Sequence, residues 1–278
     1  MVSIRGYLEL TRPVNAVAAG LLTAIGAFVA SGLDIRPLPV AAAIGATIAA
    51  TAGGNAVNDY FDREIDRVNR PDRPIPRGAV PPRGAIVFAT VLFVVAAGLA
   101  AVLPRLALAI AVVNLLALVV YTELLKGLPG VGNLVVACLG GSTFVFGAAA
   151  VGRPAVAVPL SALAALATLA REIVKDVEDI EGDREEGLRT LPIAVGPRRS
   201  LWLATALLLG AVIASPVPYL LGTFGLPYLV VVVPADVLLV VAAVTSFSDP
   251  TAGQRRLKYG TFLAAGAFVV GRLTAVGL

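Results

Sequence analysis

Apolar residues along the 278-residue chain gather in long runs separated by short polar or proline- and glycine-rich segments. A bilayer core is crossed by a helix of ~20 predominantly apolar residues. Nine runs of about that length fall near residues 14–32, 39–59, 84–103, 105–122, 130–150, 155–175, 199–216, 225–246 and 258–277. The pattern predicts an all-α polytopic membrane protein with nine transmembrane helices in a single domain, 1–278. Pro104 marks the narrowest junction, and Pro234 and Asp236 interrupt the eighth run. Ahead of the first run, Val2, Ile4, Tyr7, Leu8 and Leu10 predict a short interfacial helix. The run from Val14 is too long for a signal-peptide core and leads straight into further spans.

Composition agrees: 58% of residues are hydrophobic and 14% charged, against about 25% charged in soluble domains, and the mean hydropathy is +0.89. Histidine is absent and Cys138 is the only cysteine, which excludes His-ligated zinc, imidazole bases and internal disulfides. The net charge of +4 comes from residues at helix ends, so lipid headgroups or an anionic substrate are the expected partners, not nucleic acid. No obligate protein partner is evident. With the N-terminus in the cytoplasm, 18 of the 22 basic residues fall on that side, as the positive-inside rule requires. Nine spans then place the C-terminus outside.

Two acidic stretches interrupt this apolar background. Motif one (55–78) carries Asp59, Asp62 and Asp66; motif two (171–193) carries Asp176, Asp179 and Asp183. Both read D-x-x-D-x-x-x-D, and each aspartate of the second lies 117 residues beyond its partner in the first, as do Glu181 and Arg184 beyond Glu64 and Arg67. The echo predicts two pseudo-repeated four-helix units plus one helix, with the site between the repeats. At 100° per residue each trio falls within about 60° of one helix face. One aspartate at a span end is ordinarily a solvated terminus. Six, on the same side of the membrane, repel one another unless a cation intervenes. Oxygen-only ligands select a hard ion, Mg²⁺. Arg63, Arg67, Arg70, Arg73 and Arg77 follow motif one, while Lys175, Arg184 and Arg189 flank motif two. Metal and arginine beside carboxylates suit a diphosphate, and the apolar interior suits a long hydrocarbon tail. The reaction class is prenyl transfer, with the water-poor pocket shielding an allylic cation. Prolines at 71, 74, 76, 81 and 82 stiffen the segment after motif one into a lid or short capping helix.

The N-D-x-x-D-x-x-x-D stretch (Asn58, Asp59, Asp62, Asp66) and the D-x-x-D-x-x-x-D stretch (Asp176, Asp179, Asp183) resemble the two signature motifs of the UbiA superfamily of intramembrane prenyltransferases. The resemblance covers the whole chain. It implies a helical bundle around a central cavity that opens sideways to lipid. It implies that Asn58, Asp62 and Asp66 with Asp179 and Asp183 hold Mg²⁺ against a prenyl diphosphate; the motif spacing adds Asp59 and Asp176 to the metal-binding set. Arg67, Arg73, Arg77 and Lys126 are the expected ligands of diphosphate or acceptor phosphate; Lys175 and Asn15 are further substrate contacts. Asn15 and Asn133 either line the cavity or join helices. The element Tyr121-Thr-Glu-Leu-Leu-Lys126 has four intervening residues where the family usually has three, and Tyr121 and Lys126 join the motif carboxylates as catalytic candidates. Without histidine, a motif carboxylate is the available base.

Three further segments, Thr11–Asn15, Asp72–Gly78 and Arg171–Asp183, are similar to the archaeal branch of the superfamily. Members of that branch transfer a geranylgeranyl group from its diphosphate to the free hydroxyl of geranylgeranylglyceryl phosphate, making the second ether bond of archaeal membrane lipid. The alternatives are an aromatic acceptor (4-hydroxybenzoate, naphthoate, chlorophyllide or haem) on the same fold, or a cation or proton transporter. Glycines within the spans, among them Gly53, Gly54, Gly140 and Gly141, either pack helices closely or make room for a ligand.

Overall fold

The computed structural model describes residues 3–34, 36–125, 127–185 and 187–275. The described residues form helices joined by short turns. The long ones are α2 (Pro13–Ser31), α3 (Pro37–Phe61), α5 (Pro82–Ala101), α6 (Arg105–Val120), α7 (Val131–Ala150), α8 (Val158–Glu178), α11 (Pro197–Ala214), α13 (Leu226–Ser246) and α14 (Pro250–Ala275). Between them lie α1 (Ile4–Leu10), α4 (Arg63–Asn69), α9 (Ile180–Glu185), α10 (Leu191–Val195) and α12 (Val217–Leu220). Proline at the first or second position starts most of the long helices, where its missing N–H is no loss.

Seven of these helices are long and apolar enough to cross a membrane: α2, α3, α5, α7, α8 entered through a 3-10 turn at Pro154–Ala157, α11 extended by α12, and α13. The expected nine is therefore not established by length and hydropathy. α6 is a shorter apolar helix, and α14 opens on a polar stretch holding Gln254, Arg255, Arg256 and Lys258. Both nonetheless occupy the positions of expected spans. α5 and α13 turn valines such as Val87, Val91, Val94, Val230, Val233 and Val237 outward, a surface that suits lipid and not water.

The bundle is a ring. α2 packs on α3, α3 on α5, α5 on α6, α6 on α7, α7 on α8, α8 on α11, α11 on α13 and α13 on α14, and α14 returns to α2. The leading helices of the two halves, α2 and α7, cross in close contact. A Cβ on Gly26 would lie 2.7 Å from the Phe144 carbonyl carbon, and one on Gly147 would lie 2.9 Å from the Ala27 nitrogen. Only glycine lets two backbones approach this closely. Both halves share a local plan as well. Position 117 or 118 residues on brings α2 to α7 and the start of α3 to the 3-10 turn before α8. α14 has no counterpart.

Near the start of the chain, α1 is held against the turns that follow motif one. Ser3 N–H donates to the Ala79 carbonyl at 3.0 Å, Tyr7 stacks edge-on against Phe88, and Arg77 donates to the Glu9 carboxylate. That hydrogen bond, helped by Arg5, holds the Glu9 carboxyl below the usual carboxylate range. The segment 71–80 is a run of turns, not the short helix its prolines allowed.

Candidate active site

Each motif is assembled on a broken helix. α3 ends at Phe61 and α4 starts at Arg63, so Asp62 sits on the break with φ −78° and ψ −2°. α8 ends at Glu178 and α9 starts at Ile180, so Asp179 sits on the equivalent break with φ −91° and ψ 7°. The backbone bonds match position for position: Asp62 N–H to Asn58 C=O at 2.9 Å and Asp66 N–H to Asp62 C=O at 2.8 Å, against Asp179 to Lys175 and Asp183 to Asp179, both at 2.9 Å. The 117-residue repeat is therefore a repeat of conformation.

The first aspartate of each motif points to a partner on the leading helix of its own half. Asp59 is buried and accepts from Arg12 at 2.5 Å, with Arg73 at 3.5 Å. Asp176 accepts from Asn133 at 2.8 Å. Arg12 and Gly130 cap α2 and α7, and both are left-handed, with φ of 44° and 71°. Glycine adopts this at no cost. Arg12, the one non-glycine residue with positive φ among the described residues, does so against a penalty of roughly 1–2 kcal/mol. The ion pair to Asp59 gives that strain a purpose.

Asp66 is also buried, held by Arg73 at 2.5 Å. Arg73, expected to meet phosphate, thus bridges two motif carboxylates. Arg77 is taken by Glu9, and Arg67 pairs with Glu64 at 2.5 Å. Lys175 lies 4.0 Å from Asp179. Asn15 approaches Asn55 at 3.5 Å, and Asn55 donates to the Thr11 carbonyl at 2.9 Å. Asn133 therefore joins helices, while Asn15 does so and also lines the cavity. Lys126 lies outside the described residues. Tyr121 opens a π-helical turn, Tyr121–Leu125. A π turn takes up one residue more than an α turn, which absorbs the extra residue noted in this element. Tyr121 lines the central cavity together with Asn58 of motif one and Glu172 and Lys175 of motif two. Both motif segments thus lend residues to a common space.

That space is a cavity of about 950 Å³ in the middle of the ring. Arg12, Asn15, Asn58, Tyr121 and Lys175 line it near the motifs; Phe144, Tyr228 and Phe268 also line it, with Asp236, which accepts from Ser215, beside Tyr228. Tyr228 and Phe268 pack on Phe224 and on each other, and Phe144 packs on Phe268, in one aromatic cluster. None of the six motif aspartates is among its lining residues. Gly54 and Gly140 border it, whereas Gly53 packs tightly on Phe93 and Gly141 on the Ser161 carbonyl, so both roles foreseen for glycine occur. Sequence reasoning passed over Arg12, Asn55 and Lys258 as site residues. The signals for Arg12 were its place in the segment Thr11–Asn15 and its charge directly ahead of Pro13.

A match to the family model described as UbiA prenyltransferase family extends over residues 19–267. The chain belongs to the UbiA prenyltransferase family. Among UbiA relatives, digeranylgeranylglyceryl phosphate synthase of Halobacterium salinarum is 64% identical over 269 residues, covering 97% of this chain and 98% of the relative. The enzyme of the same name from Pyrococcus furiosus is 39% identical over 278 residues, covering 98% and 99%. A solved structure concerned with digeranylgeranylglyceryl phosphate synthase in membranes aligns with a TM-score of 0.85 at 36% identity, covering 98% of this chain and 99% of that one. A UbiA homologue from Archaeoglobus fulgidus, solved with GPP and Mg²⁺, shares the fold with a TM-score of 0.76 at 18% identity, covering 98% and 100%. The chain is an integral membrane prenyltransferase.

Proposed function

We propose that the protein transfers a geranylgeranyl group from geranylgeranyl diphosphate to the free hydroxyl of geranylgeranylglyceryl phosphate, forming the second ether bond of an archaeal lipid. The observation that carries this reading is the pair of matched, broken-helix carboxylate motifs whose segments both lend residues, Asn58 from one and Glu172 and Lys175 from the other, to one large cavity with mainly apolar walls. Full-length relatives of that name support the acceptor.

The residues present suit Mg²⁺ when the diphosphate arrives with it. Among the described residues, no three carboxylates form a ready-made cage. Mg²⁺ ordinarily takes only one or two carboxylates and completes its shell with phosphate oxygens and water. The buried Asn58 Oδ1, which has no hydrogen-bond partner, is a further oxygen awaiting a ligand. Asn58, Asp62, Asp66, Asp179 and Asp183 would hold the ion, which neutralises the departing diphosphate when bound. Asp59 and Asp176, included in the metal set on motif spacing, serve instead to fix Arg12, Arg73 and Asn133. Lys175 supplies positive charge to the diphosphate from the cavity wall.

The isoprenoid chain lies against the apolar walls, which exclude water from its reactive end. The bond between C1 and the diphosphate oxygen breaks with its electron pair leaving on the diphosphate. C1 then bonds to the acceptor oxygen, whose proton passes to a motif carboxylate. The N-terminus and the motifs lie on the cytoplasmic side.

Extraction and mass analysis of the product tests the reading. Purified protein given geranylgeranyl diphosphate, Mg²⁺ and geranylgeranylglyceryl phosphate should yield the diether phosphate. Asp62→Ala and Asp179→Ala should insert normally and yield none. Product from 4-hydroxybenzoate in place of the diether, or full turnover by either variant, would overturn it.

A further inference from the structure

The two halves are pseudo-equivalent, and so are the devices that grip the diphosphate. The acceptor is chemically different from the donor, so its recognition must rest on something that breaks the equivalence. α14 does. It has no counterpart in the repeat, it closes the ring by packing on α2, α8 and α13, and one of its faces lines the cavity.

That face is graded. Gln254, Lys258 and Thr261 come first, at spacings that align on one side of a helix, and Phe262, Ala265 and Phe268 follow deeper in. An amphiphile with a phosphate head and a prenyl tail matches the gradient in order. The charges single out one residue. Four cations line the cavity among the described residues: Arg12, Arg171, Lys175 and Lys258. Arg12 is bound to Asp59 at 2.5 Å, Arg171 to Glu172 at 2.7 Å, and Lys175 lies 4.0 Å from Asp179. Lys258 has no carboxylate partner among the described residues. A phosphate monoester carries about −1.5 to −2 charges at neutral pH and pairs well with such a cation; Lys258 is exposed, where a polar head can reach it.

We infer that Lys258, with Gln254 beside it on α14, binds the phosphate of the acceptor and so selects a phosphorylated alcohol over a neutral one. The inference rests on the proposed function and names the residue that reads its second substrate. Lys258 touches substrate remote from the bond being made, so its loss should weaken acceptor binding and spare the chemistry.

Steady-state kinetics with each substrate varied in turn tests it. Lys258→Ala should raise the KM for geranylgeranylglyceryl phosphate by roughly 10- to 100-fold, the worth of one charge-assisted hydrogen bond. The KM for geranylgeranyl diphosphate should stay within about twofold. Lys258→Arg should recover most of the loss, and Arg255→Ala, on the same turn outside the cavity lining, should behave as wild type. With unphosphorylated geranylgeranylglycerol, wild type and Lys258→Ala should be equally slow. An unchanged acceptor KM, an equal rise in both KM values, or undiminished preference for the phosphorylated acceptor would overturn the assignment. Should Lys258→Ala prove inactive, binding of labelled acceptor without prenyl diphosphate decides: equal binding by wild type and variant overturns it. A wild-type protein that makes no diether at all removes the functional reading itself, and this assignment with it.

Discussion

Substitution of Gly26 by alanine probes how the two halves are held together. The new Cβ would stand 2.7 Å from two backbone atoms of Phe144, 0.7 Å inside the 3.4 Å at which ordinary contact begins. Backbone on the facing helix cannot rotate away as a side chain can, so α2 and α7 must separate by at least that distance. Overpacking of this kind costs about 1–3 kcal/mol, offset by about 1 kcal/mol from replacing glycine inside a helix. Gly210→Ala on α11 is the control, because nothing lies within 4 Å of its Cβ; it should be stabilised by up to about 1 kcal/mol. Unfolding in detergent micelles titrated with dodecyl sulfate should place Gly26→Ala about 1–3 kcal/mol below that control. Turnover should fall about tenfold or more, since a 1 Å misplacement of reacting groups can cost 10²-fold. A Gly26→Ala protein as stable and active as Gly210→Ala would show that the crossing does not set the spacing of the halves.

Further outcomes follow from the first motif and its surroundings. Arg12→Gly and Arg12→Ala both remove the ion pair to Asp59, but only glycine relieves the left-handed backbone, so Arg12→Gly should be the more stable by about 1 kcal/mol. Thermal denaturation checks this, and equal stability would deny the strain. Glu9 holds its charge below the usual carboxylate range because of Arg77. Its contribution to docking α1 is therefore present at neutral pH and is lost as pH falls through that lowered range. Hydrogen exchange in α1 should rise on that descent in wild type and show no such step in Glu9→Gln.

Much of this architecture is written in local pattern. Long apolar runs mark membrane helices because a bilayer offers the backbone no other partner, and the D-x-x-D-x-x-x-D spacing places carboxylates on one face wherever a helix forms. The helix breaks at Asp62 and Asp179 were not legible, because no glycine or proline marks them. Nor was the fate of Arg73. Charge and position suited it to phosphate, but the fold brings Asp59 and Asp66 within its reach, and that proximity is tertiary. The same holds for Gly26 and Gly147, two glycines among 28, whose importance depends on which helix lies opposite. The polar start of α14 reads as a weak span by hydropathy; its place in the ring shows what the polarity faces.

The breaks at Asp62 and Asp179 divide each acidic cluster between two kinds of support. Its first member belongs to a helix anchored through the bundle, its second sits on the break, and its last rides on a segment of seven or six residues. Helices that short have little stability of their own in water. Fraying of a single turn on each side would therefore free the last carboxylate of each cluster. The long helices that wall the cavity need not part for that to happen.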